Sequence, residues 1–524
     1  MDGPDPSRPR DARRERRALA GVFLVAFAVY ALTSPGRFDS IDTQWRYEVA
    51  TNLLSHGSVA VRDPALLNVP QFVRAPDGTP HSIYGILGAL LPMPMMLLGR
   101  ALSGAGSELE RFLFALVSAV AGALTAALLA SFYLELGLSR RRAVAWSLVA
   151  AFASMLWPLS CTTLDNVLHG PFALLGLRLA WRAGARDSLK LAFAGGAVAG
   201  ALFAFRETFG VLMPGIALAA LGAGPIDRRA VARYLTFGAG SSIGFAVFFA
   251  YNFVRFGSFL PSFPRDPTAA LQPPVFGDPL IGALSLLFSP GRSVFLYSPP
   301  LLLGLLGAAT LWTRERALVR AIVGASALHF ALISSISMFA GEWCWGPRYL
   351  GVLLPLWALA APFAVTPRRR PLVAAVVAAG LCVQVLAVSV EHTSFYARHR
   401  LPTYFWAQDP WFYFHESALV ERPRELVEVL RARRPPQARW FAPTLHQGQV
   451  TAAAVRVAEP AEWPRMMPLF LVYYLPRPWP FWVPKIARAK RFVPVRATVA
   501  GLLALGALGA WMARRGAQDD DAAE

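Results

Sequence analysis

The sequence predicts an all-α integral-membrane protein, a polytopic helical bundle with about twelve spans. Three observations lead to this fold class. Hydrophobic residues make up 55% of the 524 residues and charged residues only 16%, whereas a soluble domain carries about 25% charged residues. Apolar runs near the length of a membrane span, about 20 residues, recur along most of the chain. Arginines cluster between these runs, as the positive-inside rule predicts for cytoplasmic loops.

The net charge gives orientation and not a binding partner. The formal charge of +19 arises from 51 basic and 32 acidic residues, an excess that would indicate nucleic-acid binding in a soluble protein. Because the basic residues fall in short blocks between apolar runs, we expect no nucleic-acid partner; the lipid bilayer is the expected surrounding. The sequence also lacks the pattern G-x-x-x-x-G-K-[ST], which supplies the usual phosphate cradle of an ATP-driven pump.

The first span is predicted from a basic segment and the apolar run behind it. Residues 1–17 contain six arginines and precede the run from Ala18 to Ser34. Arginine-rich flanks lie in the cytoplasm, so this tail is predicted to be cytoplasmic and the first outer loop, residues 37–111, to lie outside. No A-x-A-like cleavage site follows the run, and a retained span is therefore expected.

The first outer loop contains a second apolar run that we do not count as a span. Ile83 to Leu102 is interrupted by Pro92 and Pro94. If this run crossed the bilayer, the triplet at residues 140–142 would be exposed outside, against the positive-inside rule. We therefore predict an interfacial or re-entrant segment here, supporting the outer loop.

The other apolar runs alternate in orientation with the arginine blocks. The eleven further spans are predicted at Phe112 to Leu136, Ala143 to Ser160, Val167 to Trp181, Leu191 to Phe205, Phe209 to Leu221, Tyr234 to Val254, Val294 to Trp312, Leu318 to Met338, Tyr349 to Val365, Leu372 to Val390 and Ala497 to Ala513. This topology predicts a protein of the cytoplasmic (inner) membrane with both termini in the cytoplasm.

The spans divide the chain into a main domain and smaller parts. Residues 18–390 form the predicted transmembrane domain, residues 497–513 the last span and residues 514–524 an acidic cytoplasmic tail. Between them, residues 391–496 are rich in proline and tryptophan, which predicts a small extracytoplasmic cap whose aromatic side chains rest at the bilayer interface. Only Glu421 to Arg434 has a helix-like pattern within this cap.

Ionisable side chains outside the arginine blocks gather at the predicted outer ends of the spans. A charge at the bilayer centre costs about 2.5 to 3.5 kcal/mol on insertion scales, and no string of charges runs through a predicted span as ion or proton transport would require. This pattern favours a site at the outer interface. Its candidate residues are Asp39, Asp42, Asp165, His169, Arg206, Glu207, Arg292, Glu342 and Arg348.

The acidic candidates each have a structural alternative. A short amphipathic helix, predicted to open at Asp39 or Ser40 and to close at Gly57, would place Asp39 and Asp42, at i and i+3, on one face. Either carboxylate can cap that helix, or Asp42 can take part in catalysis or substrate binding. Asp165 can likewise cap the next span. His169 lies four residues later and can share the face of Asp165, although packing inside the bundle is the simpler role.

The basic candidates have alternatives of the same kind. Arg206 and Glu207 lie between two short spans, where they can pair with each other or bind a substrate. Arg292 and Arg348 lie beside glycine and proline at predicted span mouths. These two guanidiniums can reach lipid phosphates, pair with Glu342 or hold an anionic group of a substrate.

An ordered set of motifs resembles the GT-C integral-membrane glycosyltransferases, in the branch of the protein O-mannosyltransferases and lipid A aminoarabinose transferases. Asp42 is followed by A-x-x-L-L-x-x-G, and Asp165 follows the third span, as in that branch. Thr43 departs from the family, which usually has an acidic residue there. The later similar segments are GALFAFRETFGVLMP, YNFVRFGSFLPSF, LLFSPGRSVFLYSPPLLL and WCWGPRYLGVLLP.

The resemblance implies a GT-C-like fold and transfer of a sugar from a polyprenyl-phosphate-linked donor, with inversion, at the outer face. The acceptor can be a glycan, a lipid or a protein. Asp42 is then the expected general base, assisted by Asp165, while Arg292 and Arg348 hold the lipid phosphate. The other residues that we expect at the substrate are Asp39, Arg206, Glu207, Glu342, Tyr349 and His169.

Metal binding and two other functions stay open at this point. Asp42 and Asp165 offer oxygen ligands to a divalent cation, but two carboxylates and one histidine do not define a metal site, so none is assigned. A lipid or solute transporter or flippase would use the charged outer ends as a vestibule; it would have pseudo-symmetric halves, and the sequence contains no internal repeat. A non-catalytic scaffold would bind a partner through the cap.

Overall fold

The computed structural model describes residues 8–36, 38–62, 72–259, 275–341, 344–390, 395, 411–431, 439–446, 449–457 and 495–518. These residues are mainly helical, as predicted, with two antiparallel hairpins. The helices among them that are long and apolar enough to cross a membrane are Ala12–Thr33, Glu108–Glu135, Arg228–Phe256, Arg316–Ser335, Pro367–Ser389 and Arg496–Ala517. The fold is therefore that of a multi-pass membrane protein.

The elements of the first half of the chain are α1 (Arg8–Thr33), α2 (Ile41–His56), β1 (Phe72–Arg74), β2 (Pro80–Ser82), α3 (Leu87–Leu90), α4 (Met93–Ser103), α5 (Glu108–Ala115), α6 (Val117–Glu135), α7 (Arg140–Phe152), α8 (Leu156–Cys161), α9 (His169–Arg186), α10 (Leu189–Phe205), α11 (Leu212–Ala217) and α12 (Arg228–Phe256). Those of the second half are α13 (Pro279–Phe288), α14 (Val294–Tyr297), α15 (Leu301–Arg314), α16 (Arg316–Ser335), α17 (Leu354–Ala358), α18 (Arg370–Ser389), α19 (Phe412–His415), α20 (Ala418–Arg431), β3 (Arg439–His446), β4 (Gln449–Val457) and α21 (Val495–Ala517).

Several predicted spans are not continuous helices. The run from Ala143 to Ser160 is divided into α7 and α8, and the run from Val294 to Trp312 is divided into α14 and α15 at Pro299. The run from Tyr349 to Val365 combines the short α17 with 3-10 turns. The expectation of single helices here was wrong, because the length of an apolar run does not register proline and serine residues that interrupt the helical ladder. Fewer helices than the predicted twelve therefore have the length of a span in the described part of the chain.

The first outer loop has the predicted helical elements. α2 begins after Ser40, whose hydroxyl accepts a hydrogen bond from the backbone N of Asp42 at 3.2 Å, and it ends at Gly57. The run interrupted by prolines forms two helices, α3 and α4, which meet at Pro92. The hairpin β1–β2, which the sequence did not predict, lies between α2 and α3. The first turn of α2 and the segment before α3 therefore lie next to each other, with Tyr84 close to Asp42.

The last helix packs antiparallel on the first. A Cβ atom at Gly21 would lie 2.4 Å from the backbone N of Ala513, and one at Gly509 would lie 2.8 Å from the backbone N of Val25. Only glycine allows two helix backbones to approach so closely. Because residue numbers rise along α1 as they fall along α21, the basic start of α1 and the basic end of α21 lie at the same end of the bundle.

The predicted cap, residues 391–496, is described in part. Its helix-like segment, Glu421 to Arg434, corresponds to α20, which begins three residues earlier at Ala418. Strands β3 and β4 form a hairpin that the sequence analysis did not predict. Most of the tryptophan-rich remainder, and the acidic tail from residue 519, lie outside the described residues. α20 is the part of the cap that bears on the site, because it docks on the bundle.

Candidate active site

The first turn of α2 is fastened to the turn between α8 and α9. The Thr43 hydroxyl donates to the Thr163 carbonyl at 2.7 Å. In the other direction, the backbone N of Thr163 donates to Asp39 Oδ1 at 2.8 Å. Thr43 is buried, so its hydroxyl joins the start of α2 to the turn before α9. These bonds hold Asp42 and Asp165, which neighbour the two threonines in sequence, in one region of the structure.

Asp39 and Asp42 do not share a helix face, and that prediction was wrong. The helix begins at Ile41 and is capped by Ser40, so Asp39 lies before it and the helical spacing rule does not apply to the pair. Asp39 binds Thr163 instead. Ser40 is the N-cap, one of the two opening residues expected, while Asp42 lies in the first turn, where the helix N-terminus favours a carboxylate.

The Asp42 carboxylate faces one guanidinium and one phenol. Its Oδ2 lies 3.5 Å from Arg348 Nη1, with 11% of the side chain exposed, and the Tyr84 hydroxyl hydrogen-bonds to it. Burial and the facing carboxylate raise the pKa of the Tyr84 phenol well above its ordinary value, so the phenol keeps its proton. The contact with Arg348 is longer than a charge-assisted hydrogen bond of about 2.7 to 2.9 Å. Asp42 is thus held by weak contacts and remains partly accessible.

The Asp165 carboxylate is held much more firmly. It accepts two bonds from Arg206, Nε to Oδ2 at 3.2 Å and Nη2 to Oδ1 at 3.1 Å. Burial raises the pKa of Asp165, but the positive charges of Arg206 and Arg46 outweigh that effect and hold the pKa well below its usual range. The two alternatives from the sequence, an N-cap role for Asp165 and pairing of Arg206 with the exposed Glu207, are therefore wrong.

A third guanidinium, which the sequence analysis missed, lies between the two acids. Arg46 is buried; its Nη2 donates to Thr43 Oγ1 at 3.0 Å and also to the Thr163 carbonyl. Burial lowers its pKa, and the charges of Asp165 and Asp42 oppose that shift. Its spacing of four residues from Asp42 on a predicted helix was the available signal, since i and i+4 lie on one face.

Two tyrosines form an aromatic wall beside these charges. The Arg206 guanidinium carbon lies 5.6 Å from the ring centre of Tyr84 and 5.8 Å from that of Tyr349. The Arg348 guanidinium carbon lies 5.2 Å from the Tyr349 ring centre. Guanidiniums favour such ring faces. Tyr349, a candidate from the sequence, thus belongs to the cluster, whereas Tyr84 had no signal of its own.

His169 packs behind the cluster. Its ring centre lies 4.9 Å from that of Phe205 and 4.4 Å from that of Phe209. Only 1% of its surface is exposed, so the ring does not reach a substrate in this conformation. Packing, the simpler of the two alternatives, therefore describes this residue, and the predicted substrate contact is not what the structure shows.

Arg292 supports a loop and does not face the cluster. The side chain is completely buried, and its Nη1 donates to the Cys344 carbonyl at 3.1 Å and to the Gly346 carbonyl. A guanidinium without exposed surface cannot meet an incoming phosphate, so the predicted phosphate contact is corrected to support of the loop before Arg348. Glu342, the remaining candidate, lies outside the described residues.

Immediately around Asp42 and Asp165 the guanidiniums outnumber the carboxylates, while Asp39 is bonded to Thr163 at the edge. Among the described residues, the guanidiniums of Arg46, Arg206 and Arg348 surround the carboxylates of Asp42 and Asp165. Such an excess in a low-dielectric site attracts an anion. It does not suit a divalent cation, because each carboxylate already faces a guanidinium. The described residues also contain no group of three or more His, Cys, Asp or Glu side chains able to hold a metal ion.

A small cavity lies beside the cluster, where the ends of α1, α8 and α18 meet. Its volume is about 40 Å³, and its wall is mostly apolar, with Thr33, Asp39 and Thr162 as polar members. Trp345 forms part of the same wall. The cavity has room for about one water-sized group, so the cluster has space beside it at the Asp39 edge.

The low pKa of Asp165 leads to a prediction about stability in acid. A carboxylate with a lower pKa in the folded protein stabilises the fold above the unfolded value, about 3.9 for aspartate, and loses this effect as the pH falls toward the folded value. We expect Asp165→Asn to lower the thermal unfolding midpoint equally from about pH 8 to about pH 5. Scanning fluorimetry of detergent-purified protein measures this; a difference that disappears within that range would show that Asp165 is protonated there.

The fold and the site together define a mainly helical, multi-pass membrane protein with a buried cluster of acids and guanidiniums. The cluster lies where α9 begins and α10 ends, and α7 and α12 begin with arginine blocks at the opposite end. No protein-family model matches the chain, and no curated protein matches it significantly.

Proposed function

We propose that this protein is a GT-C-type membrane glycosyltransferase that transfers a sugar from a polyprenyl-phosphate-linked donor to an acceptor. The observation that carries the proposal is the meeting of Asp42 and Asp165 with three guanidiniums in one cluster. Transfer from such a donor needs a base for the acceptor and cations for the departing phosphate. The cluster offers both groups side by side.

In the proposed reaction, Asp42 is the base. The acceptor hydroxyl attacks the anomeric carbon and gives its proton to Asp42, while the bond between the anomeric carbon and the phosphate oxygen breaks. The electron pair of that bond leaves with the lipid phosphate. Asp42 suits this role because its contact with Arg348 is long and its side chain is partly accessible. Asp165 is a poor base, because Arg206 occupies both of its oxygens and its low pKa gives it little affinity for a proton.

Arg348 and Arg206 are the proposed phosphate ligands. Guanidiniums are planar, permanently charged and able to bind two phosphate oxygens at once. Unlike Arg292, Arg348 keeps 12% of its side chain exposed, and its contact with Asp42 is long at 3.5 Å. Its Nε and Nη1 make no hydrogen bond within the described residues, so a small movement of this side chain would let them bind an anion. Arg206 takes the place that the sequence suggested for Arg292, with Asp165 fixing its orientation.

The proposal places the site on the outer face of the cytoplasmic membrane. The cluster lies at the end of the bundle opposite the arginine blocks of α7 and α12, and such blocks face the cytoplasm. The lipid tail of the donor would follow α4, where Leu97, Leu98 and Leu102 are exposed. The acceptor class, glycan, lipid or protein, is left to experiment.

Photolabelling tests the proposal. A photoreactive polyprenyl phosphate added to membranes is expected to label peptides that contain α2, α4 or the segment around Arg348. A photoreactive polyprenol of the same length without phosphate is the matched control, and it should label these peptides much less because it lacks the charge that the guanidiniums bind. Labelling confined to the loops at the opposite end of the bundle would refute the proposal.

A further inference from the structure

Residues 411–431, here called the docked segment, attach to the bundle next to the site. The segment contains α19 and α20. The backbone N of Gly291 donates to the Tyr413 carbonyl at 2.9 Å, and the Ser417 hydroxyl donates to the Pro290 carbonyl at 2.7 Å. The Arg292 guanidinium carbon also lies 4.8 Å from the Tyr413 ring centre. The docked segment is therefore joined to the loop that holds Arg292.

A buried ion pair on α20 points toward the same place. Arg422 Nη1 lies 3.3 Å from Glu425 Oε2, and both side chains are almost completely buried, at 0% and 1% exposure. The Arg422 guanidinium carbon lies 5.4 Å from the ring centre of Trp345. Burying an ion pair is unfavourable unless its surroundings compensate for lost water. The cation against the Trp345 ring is one such compensating contact.

Trp345 belongs to the short loop that leads to Arg348. The following residue, Gly346, has φ +69°, and a Cβ atom there would lie 2.2 Å from Met155 Sδ, so the loop has little room to shift. Arg292 holds the loop carbonyls from one side, and Arg422 covers Trp345 from another. Three residues after Trp345, Arg348 reaches Asp42.

We propose that Arg422 is a positioning residue: by holding Trp345, it sets the Arg348 guanidinium opposite Asp42. The docked segment of the C-terminal region thereby controls assembly of the site. The catalytic consequence rests on the proposed function, whereas the effect on the position of Arg348 does not. Trp345 also lines the cavity beside Asp39, so loss of the contact would alter both edges of the cluster.

The double variant R422E/E425R tests the proposal, because it keeps an ion pair at i and i+3 but removes the cation from Trp345. Phenylglyoxal, which modifies accessible arginines, is expected to label Arg348 severalfold faster in this variant than in wild-type protein, as quantified by mass spectrometry. Sugar transfer should fall about 10²-fold, the effect of a displacement of about 1 Å. The single variant Arg422→Lys keeps a cation near the ring. It should therefore show a smaller rise in Arg348 labelling and a smaller fall in sugar transfer than R422E/E425R.

The same helix supplies a matched control. Arg424 and Glu421 form an ion pair with the same spacing at 3.1 Å, but 73% of Arg424 is exposed. The variant R424E/E421R should leave labelling of Arg348 and sugar transfer unchanged. Trp345→Leu is the second variant, used if R422E/E425R does not fold, because it removes the ring and leaves the ion pair intact. Phenylglyoxal should again label Arg348 faster than in the wild type.

The outcomes separate the two proposals. Unchanged labelling of Arg348 in both R422E/E425R and Trp345→Leu would overturn the positioning role, whatever the transfer activity. Faster labelling in a protein whose wild type transfers no sugar would support the positioning role and refute the proposed function. Equal effects of the R424E/E421R control would also overturn the inference, because general damage to α20 would then explain the result.

Discussion

Asp42→Asn is expected to lower sugar transfer by about 10² to 10⁴-fold, the contribution typical of a general base. Asparagine has nearly the shape of aspartate and still accepts the hydrogen bond from Tyr84, but it cannot take the proton of the acceptor. The loss should therefore appear in kcat, with a small change in the KM for the donor. The measurement is transfer of radiolabelled sugar from polyprenyl phosphate in membranes that contain equal amounts of each variant.

The control for this experiment is another aspartate of the same outer loop. Asp77 lies in the exposed turn between β1 and β2, where its side chain accepts a bond from the backbone N of Thr79 at 2.8 Å. Asp77→Asn should transfer sugar at the wild-type rate. Wild-type transfer by a folded, membrane-inserted Asp42→Asn protein would remove Asp42 from the mechanism.

Arg348→Gln should raise the barrier by about 2.7 to 4 kcal/mol, or about 10² to 10³-fold in rate, if the guanidinium stabilises the leaving phosphate as a preorganised donor does. Unlike the change at Asp42, this variant should also bind the donor less tightly, because glutamine has no charge. Arg348→Lys keeps the charge but not the planar, bidentate geometry. Its transfer rate and donor affinity should therefore lie between those of the wild type and Arg348→Gln. Binding of farnesyl phosphate to purified protein measures the effect directly.

Two comparisons make the binding experiment specific. Farnesol, which has the same chain without phosphate, should bind wild-type and Arg348→Gln proteins equally. Arg74 is an exposed arginine of the same outer loop, and Arg74→Gln should leave the affinity for farnesyl phosphate unchanged. An Arg348→Gln protein that binds farnesyl phosphate as tightly as wild type would show that this guanidinium is not a phosphate ligand.

The sequence identified the acids of the site better than the contacts between them. Local signals mark the start of α2 and the turn around Asp165, and the structure brings Asp42 and Asp165 together; their catalytic roles stay predictions. No local pattern shows which guanidinium meets which carboxylate. Arg206 pairs with Asp165 and not with its neighbour Glu207 because the fold joins the end of α10 to the start of α9.

Arg292 illustrates the same limit. Its place beside glycine and proline at a predicted span mouth could not reveal whether the side chain turns toward a cavity or toward the protein interior, since both occur at the end of a span. Tyr84 was missed because its role arises from the approach of elements that are distant in sequence. Arg46 had a local signal, its spacing of four residues from Asp42, but its contact with Thr163 depends on the fold.

The sequence predicted where the long helices lie, but not which apolar runs are broken into shorter helices. Apolar composition identified every one of the six long helices, because burial in lipid requires about 20 apolar residues in a row. The ten-residue helix α13 was missed because its run is half that length. The pieces around α14 and α17 depend on prolines and tertiary packing, which a count of apolar residues does not register.

The glycine contact between α1 and α21 has a consequence for biosynthesis. During translation, α1 is made before the other described helices and α21 after them, so the face of α1 around Gly21 has no helical partner until the rest of the bundle has been made. Until then that face lies against lipid or other helices. An interrupted chain that ends before α21 would therefore keep it unpaired.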